Sequence, residues 1–187
     1  YTRQYNQNTT SYTDHSNARR IGHAVSTDQH LGTWTVVSRD SIHARTGRIW
    51  DNLHVWAPSI VLRPGDITYY MFYTGVQLDT LDLNATPIKT SEIQRIGIAT
   101  STNLNSWKQD SIPVYFNKKT SWAFRDSSKN TGASWEFRDP FVMPDPENAG
   151  EWLMYFVTVD SSLNRFVVGV ARTADKNLRK WQDLYPL

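Results

Sequence analysis

Arg20-Ile21-Gly22-His23-Ala24-Val25-Ser26-Thr27-Asp28, running on to Trp34, occurs twice more in altered form. Arg95-Ile96-Gly97-Ile98-Ala99-Thr100-Ser101-Thr102-Asn103 leads to Trp107, and Val167-Val168-Gly169-Val170-Ala171-Arg172-Thr173-Ala174-Asp175 leads to Trp181. The glycines at 22, 97 and 169 stand 75 and 72 residues apart, a regularity that marks an internal repeat. Each copy puts small Gly and Ala on closely packed faces, then a Ser/Thr/Asp cluster, then a tryptophan that opens the next run. That order predicts a strand, a tight turn and a second strand, which together make a hairpin. Asp28, Asn103 and Asp175 occupy the same turn in all three and read as turn formers.

Two further motifs precede the second and third hairpins. Thr68-Tyr69-Tyr70-Met71-Phe72-Tyr73-Thr74 matches Glu151-Trp152-Leu153-Met154-Tyr155-Phe156-Val157, and both are too short and too aromatic for helix cores. Each reads as a central strand. Upstream again, Val55-Trp56-Ala57-Pro58-Ser59-Ile60-Val61 matches Phe137-Arg138-Asp139-Pro140-Phe141-Val142-Met143, with turn residues after both, and each reads as a first strand. Helical repeats are excluded because no 3.6-residue pattern is sustained. Four strands in up-and-down order, repeated, are the blade of a β-propeller. The expected architecture is all-β, a propeller fragment of about two and a half four-stranded blades. Residues 1–54 form an incomplete blade, 55–136 a complete blade with long loops, and 137–187 a second complete blade. Tyr1-Thr2 read as the tail of a central strand equivalent to Tyr73-Thr74. The segments 77–94 and 116–134 read as long loops that shape a cleft, with Trp122 and Phe124 as sugar platforms.

An open stack of blades exposes apolar faces and unpaired strand edges. The expected partner is therefore the remainder of a longer propeller, or a second copy of the chain. Composition narrows the other partners. Across 187 residues, 20 Lys+Arg stand against 18 Asp+Glu, and the basic residues are scattered, so nucleic acid is not expected as a ligand. No apolar run approaches the roughly 20 residues of a membrane-crossing helix, so no membrane partner is expected. With no cysteine, disulfides and thiolate chemistry are excluded. Their absence fits an exported protein or a cytosolic one, with secretion or the periplasm preferred. Aromatic content of 13%, including 8 Trp, suits rings that stack on sugars and equally suits an all-β core. The sequons at Asn8 and Asn84 are too short to assign.

At Val55-Trp56-Ala57-Pro58, at Phe137-Arg138-Asp139-Pro140 and at the Gly-x-Ala hairpins, the chain resembles the five-bladed propeller glycosidases. These are the arabinanase and xylosidase group (glycoside hydrolase family 43) and the invertase and fructosidase group (family 32). The resemblance implies three carboxylates from successive blades around a sugar. An Asp on the first blade is nucleophile or base, an Asp on the third orients the sugar and tunes its neighbours, and a Glu on the fourth is the acid. Asp139 matches the third-blade Asp. The comparison within the chain agrees, because 82 residues earlier Trp56-Ala57-Pro58 stands where Arg138-Asp139-Pro140 stands. The scaffold accepts Ala there, so the carboxylate is a functional candidate, against a bland reading as a turn-forming Asp-Pro.

Three neighbours of Asp139 are expected to bind substrate. Arg138 pairs with a carboxylate or a sugar hydroxyl, His54 donates to a hydroxyl, and Trp56 stacks on a ring or seals the channel wall. The first-blade Asp and the fourth-blade Glu are expected outside residues 1–187, with Glu136 a local substitute, so the chain alone should be inactive. The function expected is part of a glycoside hydrolase, the alternatives being a non-catalytic carbohydrate-binding propeller or a self-associating half-propeller. No cofactor or metal site is expected; calcium in the channel is admitted by the resemblance alone.

Overall fold

The computed structural model describes residues 2–3, 19–46, 50–82, 89–114, 136–160, 162–163, 165–184 and 186–187. Trp122, Phe124, the sequon asparagines and the whole 116–134 segment lie outside the described residues. The strands are β1 (Thr2–Arg3), β2 (Arg20–Val25), β3 (Thr35–His43), β4 (His54–Leu62), β5 (Tyr69–Asp82), β6 (Lys89–Ser101), β7 (Lys108–Gln109), β8 (Arg138–Pro144), β9 (Trp152–Asp160), β10 (Arg165–Thr173) and β11 (Gln182–Asp183). They make three antiparallel sheets, ordered β1-β2-β3, β4-β5-β6-β7 and β8-β9-β10-β11. Among the described residues no helix is long and apolar enough to cross a membrane.

Corresponding strands pair in corresponding register in the three sheets. Thr2 stands opposite Ile21, Thr74 opposite Ile96, and Val157 opposite Val168. The short β1 therefore holds, in the first sheet, the place that Thr74 holds in β5.

Central strands are buried on both faces, which is why β5 and β9 begin as unbroken apolar runs. Alternation sends Met71 and Tyr73 toward the first sheet, where they pack with Ile21, Ile42, Trp50, Val55 and Ala99. Tyr70 and Phe72 face the third sheet and join Val61, Ile96, Ile98, Phe137, Val142, Met154 and Phe156. Trp50 closes the first of these interfaces by lying flat across two glycines. A Cβ added at Gly75 or Gly97 would overlap its indole, so the repeat glycine at 97 is required by close approach.

The three rim turns are built alike. Asp28 accepts amide hydrogen bonds from His30 and Gly32 at 2.9 and 3.0 Å, Asn103 from Asn105 and Ser106 at 3.0 Å each, and Asp175 from Arg179 and Lys180 at 2.9 and 3.1 Å. Leu31, Leu104 and Leu178 then adopt left-handed φ values of 54°, 63° and 54°. Each leucine carbonyl accepts the indole N–H of the tryptophan three residues on, Trp34, Trp107 or Trp181, at 2.7, 2.9 and 2.9 Å. These tryptophans fasten turns.

Within the segment read as a loop, residues 77–82 and 89–94 are strand instead. β5 and β6 continue past the core as a long hairpin, with Gln77 opposite Ile93 and Asp79 opposite Ser91. Alternation in Val76-Gln77-Leu78-Asp79-Thr80 carries the ladder outward despite its polar residues.

Asp66, Asp145, Asp160 and Asp175 hold their carboxyls below the ordinary aspartate value. The leading causes are the amides of Thr68, Glu147 and Arg179 for Asp66, Asp145 and Asp175, and the Ser162 hydroxyl for Asp160. A folded value below the unfolded one means stability that is complete above about pH 4 and lost as pH falls through the folded values. Urea midpoints should therefore be level near neutrality and decline under acid. Asp175→Asn should shallow that decline; an unchanged slope would remove Asp175 from the account.

Candidate functional site

The site grows out of a backbone irregularity shared by two strands. In β4 the register steps from Trp56 opposite Thr74 to Ser59 opposite Phe72, and in β8 from Arg138 opposite Val157 to Phe141 opposite Tyr155. Ala57-Pro58 and Asp139-Pro140 are thus β-bulges at matching places, and proline, which has no amide hydrogen, is tolerated there. Ala57 and Asp139 both take left-handed φ, 45° and 55°. An L-residue pays about 1–2 kcal/mol for that conformation, with Asn and Asp better suited to it than Ala. Part of the reason for an aspartate at 139 is therefore the backbone, and the turn-forming reading has a physical basis beside the functional one. Ala57→Asn should raise stability by about 1 kcal/mol; a lower unfolding midpoint would show that the alanine methyl is needed.

The bulge aims Asp139 outward. Its side chain is 46% exposed, while its amide donates to the Thr74 hydroxyl of the neighbouring sheet at 2.8 Å. Three residues on, the Val142 amide donates to the Ser59 hydroxyl at 3.1 Å. Two hydroxyls of the second sheet thereby satisfy the edge of β8 and hold β4 and β8 side by side.

Around Asp139 the charges interlock. Arg138 places Nε 3.4 Å from the Asp139 carboxylate, pairs through Nη1 with Glu136, and donates from Nη1 to Gln94 Oε1 at 3.3 Å. Its guanidinium lies 4.8 Å over the ring of Phe166. Burial raises the Asp139 carboxyl above the ordinary aspartate value, and the Arg138 charge opposes that rise. Glu92 is raised as well, first by burial and then by the charge of Glu136. A carboxylate shifted upward in a partly open site is a feature of functional groups.

His54 and Trp56 stand one blade earlier. His54 is 5% exposed, with Nε2 3.9 Å from Glu92, and its ring stacks on Trp56 at 5.5 Å and 14°. The structure thus brings Arg138, Asp139 and Glu136 together with Gln94, and links His54 and Trp56 to them through Glu92. Glu92 and Gln94 come from the hairpin arm that reads as loop in the sequence. They directly precede the repeated Arg95-Ile96-Gly97 strand, and that continuity is the signal that finds them.

A carboxylate beside a guanidinium, with further carboxylates behind, can orient a hydroxyl-rich ligand and hold it by charge-assisted hydrogen bonds. Among the described residues no group of three or more His, Asp or Glu side chains is placed to hold a metal ion.

No protein-family model and no curated protein sequence matches the chain. Solved structures do match. A variant β-fructofuranosidase from Microbacterium saccharophilum K-1 superposes with a TM-score of 0.61 at 18% identity, over 92% of this chain and 40% of that one. Sucrose-6-phosphate hydrolase from Lactobacillus gasseri gives 0.57 at 16% identity, over 82% and 25%. The GH32 β-fructofuranosidase BmSUC1 of Bombyx mori gives 0.54 at 18%, over 89% and 28%. The chain has a propeller-glycosidase-like fold. It spans well under two thirds of the length of these enzymes, and its three sheets correspond to part of such a propeller.

Proposed function

We propose that this chain forms part of a glycoside hydrolase acting on oligo- or polysaccharides, with Asp139 as the carboxylate that orients the sugar and tunes the reacting groups. The observation that carries the reading is the contrast between two superimposable bulges. One presents a methyl group at Ala57; the other presents a half-open carboxylate at Asp139 whose ionisation is opposed by burial. Arg138 steadies that carboxylate and, with Trp56 and His54, borders the sugar. The nucleophile and the proton-donating acid of the two-carboxylate mechanism come from blades outside residues 1–187.

The outer face of the third sheet supports a further covering partner. Phe141, Phe166 and Val168 are exposed there, whereas Ile96, the counterpart of Val168 in the second sheet, is fully buried against its neighbour. Additional blades of the same propeller cover that face, or a second copy does.

Hydrolysis assays on fructofuranosides, arabinosides, xylosides and galactosides with the complete reading frame test the proposal. Sugar binding without turnover would replace it by the carbohydrate-binding reading. Neither binding nor turnover would end both.

A further inference from the structure

Arg138 is shared. Its Nε faces Asp139 while Nη1 serves both Glu136 and Gln94, and the plane of the guanidinium rests over Phe166. Glu136 is the less exposed of the two carboxylates, its side chain 11% exposed against 46% for Asp139. An ion pair with the more buried partner is screened less by water and is the stronger competitor for the cation. Gln94, itself 5% exposed, adds a neutral acceptor on the same side. The repeat makes the arrangement specific to this blade. The residue aligned with Arg138 in the second sheet is Trp56, and the one aligned with Gln94 in the third is Phe166, so the two third strands close on the arginine with different chemistry.

We infer that Glu136 is a positioning residue: it competes with Asp139 for the guanidinium of Arg138 and so sets how firmly the Asp139 carboxylate is held. The inference rests on the proposed role of Asp139 only for its bearing on catalysis. The competition itself is a property of three side chains. The other titratable groups in the cluster are Glu92 from β6, which faces Glu136, and His54 from β4, which faces Glu92.

Carboxyl-carbon NMR titration of Asp139 tests this without any turnover, so its failure is separable from failure of the glycosidase reading. Glu136→Gln keeps the shape of the side chain and releases the guanidinium, which then engages Asp139 more fully. The Asp139 midpoint should fall. Arg138→Met removes the cation, and the midpoint should rise. In the double variant the midpoint should match that of Arg138→Met, because Glu136 has lost the group through which it acts. An unchanged or raised midpoint in Glu136→Gln overturns the inference. So does an equal fall with and without Arg138, which would mean that Glu136 acts directly through space. Should Arg138→Met fail to fold, Arg138→Lys keeps a charge on a group with a different fork geometry, and the Glu136→Gln effect should shrink in that background too.

Discussion

Asp139→Asn, in the complete protein, is expected to lower glycoside turnover by about 10²-fold or more, the scale of the loss when a group that orients the substrate is removed. The fold should be spared for three reasons visible at the bulge. Asn tolerates left-handed φ about as well as Asp. The backbone amide keeps its hydrogen bond to Thr74. Only the charge opposite Arg138 is lost, and Glu136 still pairs with that guanidinium. Asp139→Ala confounds the test, because the φ of 55° then adds backbone strain to the loss of the carboxylate. Turnover of the Asn variant within about tenfold of the native rate would remove Asp139 from the mechanism.

The largest effect on stability is expected at Trp50. It is 6% exposed, stacks on Tyr73 at 5.6 Å, donates to the Ser111 carbonyl at 3.2 Å and lies beneath the Arg45 guanidinium. Truncating a buried tryptophan to alanine costs about 3–5 kcal/mol, a large share of the 5–15 kcal/mol that holds a typical domain together. Trp50→Ala should therefore bring a large drop in urea midpoint. Gly97→Ala attacks the same contact from the strand side by forcing a methyl into the indole, at about 1–3 kcal/mol. A native midpoint in both variants would show that the indole covers the second sheet without joining it to the first.

The glycine spacing and the aromatic central strands were enough to read three antiparallel sheets, because both signals are local and recur. Even Thr2 is legible as the tail of a central strand, since its partner Ile21 lies inside a repeated motif. The bulge at Asp139-Pro140 is legible only as a comparison with Ala57-Pro58. What was hidden depends on tertiary contact. Glu92 and Gln94 sit in a stretch whose Asp, Asn and Thr content mimics a loop, yet the hairpin ladder keeps them in strand. Asp51 is fully buried, with Arg45 at 2.8 Å, the Tyr73 hydroxyl at 2.9 Å and Gln109 at 3.2 Å. Its partners are 6, 22 and 58 residues away, and no spacing rule connects them. His54 reads as a ligand donor in the chain, and no spacing rule shows that its ring stacks on Trp56 with Nε2 3.9 Å from Glu92.

The rim turns have an evolutionary corollary. Each closes on its own Asp or Asn, its own leucine carbonyl and its own indole, so these turn hydrogen bonds travel with their sheet when a gene segment is duplicated. The Arg179–Asp110 ion pair and the Arg63 hydrogen bond to the Lys176 carbonyl, by contrast, tie the second sheet to the third. The difference between the copies that matters for chemistry then falls on their first strands, where one carries a methyl at Ala57 and the other an acid at Asp139.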